Sequence, residues 1–244
     1  MSSQDAPVNN STRGKLFVIS APSGAGKTSV LQAVCAKDNT LKRAVTTTTR
    51  PPRDGEVDGQ DYHFITHEDF HEKTKAGGFL ESATVFGNFY GLTRDAVEKC
   101  LRDGENVLVI LDVQGAKSVM ALMPNDVISI FILPPSPEEL HRRLFARDAD
   151  NACKNYEKLG GDSPKDLKRR LDTAAWEIGF CHSFKYIVVN DDFDEAVADI
   201  LAITESEKSS KHSPVASSTA RANHLLQNQK HIVKTIAFSF MRSQ

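Results

Sequence analysis

The most explicit chemistry in the chain lies in Ser20-Ala21-Pro22-Ser23-Gly24-Ala25-Gly26-Lys27-Thr28. This stretch follows the apolar run Leu16-Phe17-Val18-Ile19 and precedes Ser29-Val30-Leu31-Gln32-Ala33-Val34, which reads as a helix start. Strand, glycine-rich turn and helix are the context in which a G-x-x-x-x-G-K-[ST] pattern cradles nucleotide phosphates. Successive backbone N–H groups form an anion nest, and the positive end of the following helix points at the same spot. Lys27 supplies a mobile cation for the β- and γ-phosphates, and the Thr28 hydroxyl is a ligand for Mg²⁺. Ala21 stands where the pattern's first glycine belongs, a position that tolerates alanine when φ is negative.

Asp112 ends the apolar run Val107-Leu108-Val109-Ile110-Leu111 and is the acidic partner expected of such a loop, positioned to hold a water of Mg²⁺. Arg143, Arg147 and Arg170 flank a polar, aperiodic segment. Alone they would describe a solvated helix face, but beside a triphosphate they form a closing lid that neutralises charge on a transferring phosphoryl group. Arg50 and Arg53 sit among threonines and prolines, with Tyr62 and Tyr90 farther along, and guanidinium forks grip phosphate bidentately. A phosphate acceptor needs no catalytic base, because its oxygen is already ionised near neutral pH. Glu81 can accept from two adjacent N–H donors of a base, and guanine offers such a pair where adenine does not.

Positioning these groups takes alternating elements. The apolar pattern predicts strands at 15–19, 43–46, 62–65, 79–81, 107–111, 127–133 and 186–189. Helices are predicted over 28–36, 68–76, 93–101 and 137–147, from 163, and over 194–203, with Thr93 and Ser136 as caps. The expected fold is α/β, a P-loop-type parallel sheet with helices on both faces. A small mixed α/β lobe (44–91) interrupts the core (14–43 and 92–204), and a helical lid spans 143–170. Residues 1–13 read as a loose leader. Residues 205–244 read as a polar, basic tail outside the core, with 206–221 as linker and 224–241 able to form an amphipathic helix; truncation after Ser206 is expected to leave activity within about two-fold.

The composition bounds the setting. A chain of 244 residues with net charge −2 carries no global field for nucleic acid. The tail holds six Lys or Arg against two acids, a local +4 that leaves −6 for the rest. The four cysteines are widely spaced, which fits a reducing compartment rather than a disulfide framework. Neither a signal peptide nor a membrane span is expected, so the cytoplasm is the expected location.

With those residues in view, the sequence resembles the guanylate kinases. The matching stretches include Ser20–Thr28, Thr46–Glu56, Gly59–Phe64, Phe79–Glu81, Gly87–Gly91, Asp112–Gly115 and Val189–Asp191, in order. The resemblance implies Mg²⁺-dependent transfer of the γ-phosphate of ATP to GMP, with dGMP as a further acceptor, by a monomer or homodimer. It implies that Thr46 and Glu81 read guanine, and that Arg50, Arg53, Tyr62 and Tyr90 hold the GMP phosphate. Asn190 joins the loop residues Ala21 to Thr28 in the ATP site. Lys27, Arg50, Arg143, Arg147 and Arg170 are the catalytic cations, and Thr28 and Asp112 the metal ligands. Ile110 stands where relatives often carry an acid, Leu92 where many carry a Ser or Thr touching the base, and the lid is longer than usual. Two rival readings are a guanylate-kinase-like scaffold without catalysis, which usually lacks the phosphate loop, and a kinase for another monophosphate.

Overall fold

The structure, a computed structural model, describes residues 13–53, 55–85, 87–154, 164–208 and 216–232. Residues 1–12 of the leader, 209–215 and 233–244 of the tail, Asp54, Phe86 and 155–163 of the expected lid lie outside the described residues, whereas Arg13, read as leader, pairs with Glu98 and Asp126.

Five strands form the main sheet: Leu16–Ser20 (β1), Leu41–Arg43 (β2), Asn106–Ile110 (β7), Val127–Leu133 (β8) and Tyr186–Val189 (β9). Their order is β2-β7-β1-β8-β9, with every pair parallel. All five residues of β1 are buried, as a strand covered on both faces must be. Successive side chains point to opposite faces. Leu16, Val18, Val107, Val109, Phe131 and Leu133 accordingly enter one core, while Phe17, Ile19, Leu108, Ile130 and Ile132 enter the other.

The first core is closed by Arg94–Arg102 (α3), Val113–Leu122 (α4), Pro137–Lys154 (α5) and Pro164–Ile178 (α6), through Leu101, Val119, Leu144 and Ile178 among others. The second is closed by Lys27–Lys37 (α1) and Phe193–Glu207 (α7), through Val34, Val197 and Ile200. This is the expected doubly covered parallel sheet.

The inserted lobe carries a second sheet of Thr47–Thr48 (β3), His63–Phe64 (β4), Phe79–Val85 (β5) and Asn88–Thr93 (β6), in the order β4-β3-β6-β5. It is mixed, with β3 parallel to β4 and antiparallel to β6. The helix His67–Lys75 (α2) starts on a capping box between Thr66 and Asp69. Its Phe70 stacks between Phe79 and Phe89 as the lobe's own small core.

Several elements differ from the sequence-based expectation. Helix α4 was not anticipated: its N-cap is Asp112, whose Oδ1 accepts from Gly115 N at 2.7 Å. Helix α5 runs on to Lys154 instead of stopping at Arg147, because a polar stretch with neither glycine nor proline contains no stop signal. Strand β2 begins at Leu41, where it pairs with Asn106, two residues before the expected start. Thr93 is the N-cap residue of α3 but makes no side-chain cap bond, whereas Ser136 Oγ does accept from Glu139 N at 3.2 Å.

The tail also departs from expectation. Residues Ala216–Ile232 form a helix (α8) packed on α7 and β9. Ala222 and Leu225 are buried in the second core, and Arg221 pairs with Glu195 and Asp199 of α7. This part of the tail docks on the core because one helical face carries Ala222, Leu225 and Arg221 at compatible spacings. Leu225→Ala is expected to lower the unfolding free energy by about 2 kcal/mol, read from denaturant melts, with the KM for nucleotide unchanged.

Candidate active site

Strand β1 delivers the phosphate loop, and α1 begins at Lys27 with Gly26 as its N-cap. Gly24 and Gly26 have φ of +85° and +86°, a region that side chains oppose. Gly26 offers α1 no capping side chain. Ala21 is fully buried, and its carbonyl accepts from Lys27 Nζ at 3.1 Å. Asn190 Nδ2 donates to Ala25 O at 2.8 Å, and a Cβ on Gly26 would stand 2.7 Å from that nitrogen. Asn190 therefore braces the loop through the Ala25 carbonyl.

A cavity of about 710 Å³ opens over the loop. It is lined by Gly24, Gly26, Lys27, Thr28, Asp112 and Arg143 together with Thr46, Tyr62, Glu81, Tyr90 and Ile110. Residues far apart in the chain thus meet in one cleft between core and lobe.

Glu81 is strongly perturbed within it. Burial pushes its carboxyl up to about 7, and the like charge of Asp112 adds to the shift. The carboxylate lies against α4: a Cβ on Gly115 would stand 2.6 Å from Glu81 Oε2. Gly115 also donates its N–H to Asp112, so one residue seats both acids. Gly115→Ala is expected to displace the Glu81 carboxylate and raise the KM for GMP about tenfold, the worth of a charged hydrogen bond, while kcat changes less in steady-state assays.

Arg50 is held at the lobe's rim. Its Nη2 donates to Glu56 Oε1 and Oε2 at 2.8 and 2.9 Å, and its guanidinium lies 5.5 Å from the Tyr62 ring centre. Tyr62 and Tyr90 meet edge to face at 5.9 Å. Desolvation slightly opposes the ionised form of Glu56, but the Arg53 N–H and the Arg50 guanidinium outweigh it and hold this carboxyl below the usual range. Arg53 is exposed, and its N–H donates to Glu56 Oε2 at 2.8 Å. Neither Arg50 nor Arg53 lines the cavity as it stands.

Arg143 is anchored by Glu139 at 2.6 Å and donates to Asn190 O at 3.0 Å. Hydrogen bonds from Arg142 and Arg143 hold the Glu139 carboxyl down to about 2. Arg170 lies on α6, and Arg147 continues α5 with its side chain outside the described residues. Leu92 departs from expectation: paired with Glu81 across the strands, it is 1% exposed and belongs to the first core, not to the base site. Of the two apolar replacements, Ile110 alone lines the cleft.

The guanylate kinase family model matches residues 13–207, which span the whole of this cleft. The chain belongs to the guanylate kinase family. It is 44% identical over 200 residues to a guanylate kinase of Wolbachia pipientis wMel, covering 82% of this chain and 94% of that one. A guanylate kinase of Alkalilimnicola ehrlichii is 45% identical over 190 residues, covering 78% and 87%. Among solved structures, guanylate kinase from Anaplasma phagocytophilum aligns at TM-score 0.62 and 32% identity, over 90% of this chain and 96% of that one. The guanylate kinase match ends at residue 207, so α8 lies beyond it.

Proposed function

We infer that the chain transfers the γ-phosphoryl group of ATP to GMP, giving ADP and GDP. The observation that carries this reading is that the phosphate loop and Glu81 line one cavity. Loop amides and Lys27 hold the β- and γ-phosphates, braced by Asn190. Thr46 and Glu81 receive the guanine edge, and Arg50, Arg53, Tyr62 and Tyr90 receive the GMP phosphate. Arg50 moves its fork from Glu56 to that phosphate, keeping its contact with the aromatic pair. Arg143, Arg147 and Arg170 neutralise the charge that spreads over the equatorial oxygens during transfer.

Thr28 and Asp112 line the same cavity and offer oxygen donors, the set a hard divalent cation takes. Mg²⁺ bound with ATP shields charge between phosphates and orients the γ-phosphoryl group. The division into core (14–43, 92–204), lobe (44–91) and lid (143–170) belongs to this reading, as does acceptance of dGMP.

No helix among the described residues is long and apolar enough to cross a membrane. The free thiols Cys35, Cys100 and Cys181 suit a cytoplasmic setting. ADP release that requires GMP and stops on chelation of Mg²⁺ tests the reading. GMP-dependent release that survives chelation contradicts the metal's part, and ADP release indifferent to GMP contradicts the acceptor.

A further inference from the structure

Thr48 and Thr49 have no part in the scheme above, yet they join the two segments that present Arg50 and Tyr90. Strand β3 lies between β4 and β6, with Thr48 paired to Phe64 on one side and to Tyr90 on the other. Both threonines are buried, Thr48 fully. The Thr48 hydroxyl donates to Phe89 O at 2.9 Å and accepts from the Arg50 N–H at 3.1 Å. Thr49 completes the join. Its N–H donates to the same Phe89 carbonyl at 3.0 Å, and its hydroxyl accepts from Phe89 N at 2.9 Å. On the opposite side, the Thr48 carbonyl accepts from Ile65 N at 3.0 Å.

Arg50 lies beyond the end of β3, and its N–H is served by a side chain rather than by a neighbouring strand. A threonine oxygen that accepts from the N–H two residues on makes a local turn. That turn fixes where the chain leaves the sheet, and so where the Arg50 side chain begins. The frame it joins is itself anchored, because the Phe89 ring stacks on Phe70 at 5.3 Å in the lobe's core. Around the guanidinium stand the rings of Tyr62 at 5.5 Å and Phe64 at 5.9 Å, while its fork rests on Glu56. With the Arg50 backbone fixed, the fork can pass from Glu56 to a phosphate by side-chain rotation. Binding then orders fewer groups, which costs less affinity.

We propose that Thr48 is a positioning residue for the acceptor phosphate: its hydroxyl clasps the backbone of Arg50 to Phe89 and sets Arg50 and Tyr90 in one frame. The proposal rests on the phosphotransfer reading for its kinetic consequence, but the clasp itself can be read from one amide without any nucleotide.

Thr48→Val fills the same space and offers neither donor nor acceptor, whereas Thr48→Ser keeps the hydroxyl. In Thr48→Val the Arg50 amide is expected to exchange with solvent about tenfold faster or more, followed by NMR. The KM for GMP is expected to rise about tenfold, the scale of leaving a buried donor unpaired, with kcat and the KM for ATP changing less. Guanosine carries the base without the phosphate, so its inhibition constant should be the same in wild type and Thr48→Val. Thr48→Ser restores both slow exchange and the KM for GMP. A wild-type KM for GMP in Thr48→Val would overturn the proposal. So would an equal loss of guanosine binding, which would mark a general loosening of the lobe, or equal defects in the valine and serine variants. Unchanged exchange at Arg50 in Thr48→Val would overturn the clasp itself. A wild-type chain that binds no GMP would instead count against the phosphotransfer reading, and the clasp would stand or fall on the exchange data.

Discussion

Replacing Lys27 with alanine is expected to lower kcat about 100-fold or more, the scale of removing a charge that acts on the transition state. The side chain starts at the first residue of α1, and its ammonium already bonds the carbonyl of Ala21 inside the loop. It can swing onto the bridging oxygens without backbone movement, so binding geometry and developing charge are served by one group. Because Lys27 lies outside both buried cores, the unfolding midpoint should hold. Single-turnover kinetics with saturating ATP and GMP separate the chemical step from product release. A folded variant that turns over at the wild-type rate contradicts the phosphate-loop assignment.

Glu81→Gln should remove most of the preference for GMP over AMP, a change of about 1,000-fold or more in the ratio of kcat/KM values. An ionised carboxylate accepts from both N1–H and N2–H₂ of guanine, while adenine presents an acceptor at N1. A site built around that pair leaves its own buried carboxylate unsatisfied when adenine enters. Ile110 adds an apolar wall that rewards neither base.

Glu81 should also make GMP binding depend on pH. Burial, reinforced by Asp112, raises its carboxyl from 4.5 to about 7. In the free protein its charge therefore opposes folding. That penalty is absent below about 4.5, grows as pH rises and is complete above about 7. Guanine's donors favour the charged form, so affinity for GMP strengthens as pH rises through 7, and GMP binding lowers the carboxyl again. In Glu81→Gln this limb of the profile disappears, whereas any change from the nucleotide's own phosphate remains.

The parts of the site that follow from chemistry were legible in order along the chain. Ser20 to Thr28 could be read because glycine, lysine and threonine at that spacing answer to phosphate and metal, and Glu81 because two donors need two acceptor oxygens. The acids that hold the arginines were not legible. Glu56 and Glu139 are ordinary acids in sequence, and they gain roles only when Arg50 and Arg143 are brought beside them. Helix α4 was missed because Asp112 read as a metal ligand, while in the structure the same carboxylate also caps a helix. Helix α8 was legible only in part: an amphipathic helix was expected from 224, but the helix starts at Ala216, inside the stretch whose Ser-rich composition read as linker. The signal lay in Ala222, Leu225 and Arg221, whose partners on α7 are distant in sequence.

The central claim is that the cleft selects guanine monophosphate as acceptor, and comparing acceptors in one coupled assay of ADP release tests it most directly. With ATP and Mg²⁺ fixed, GMP, dGMP, AMP, UMP and CMP are each titrated against the wild-type chain. The account predicts rapid release with GMP, detectable release with dGMP and near-background rates with the other three. Turnover of AMP as fast as that of GMP would contradict it.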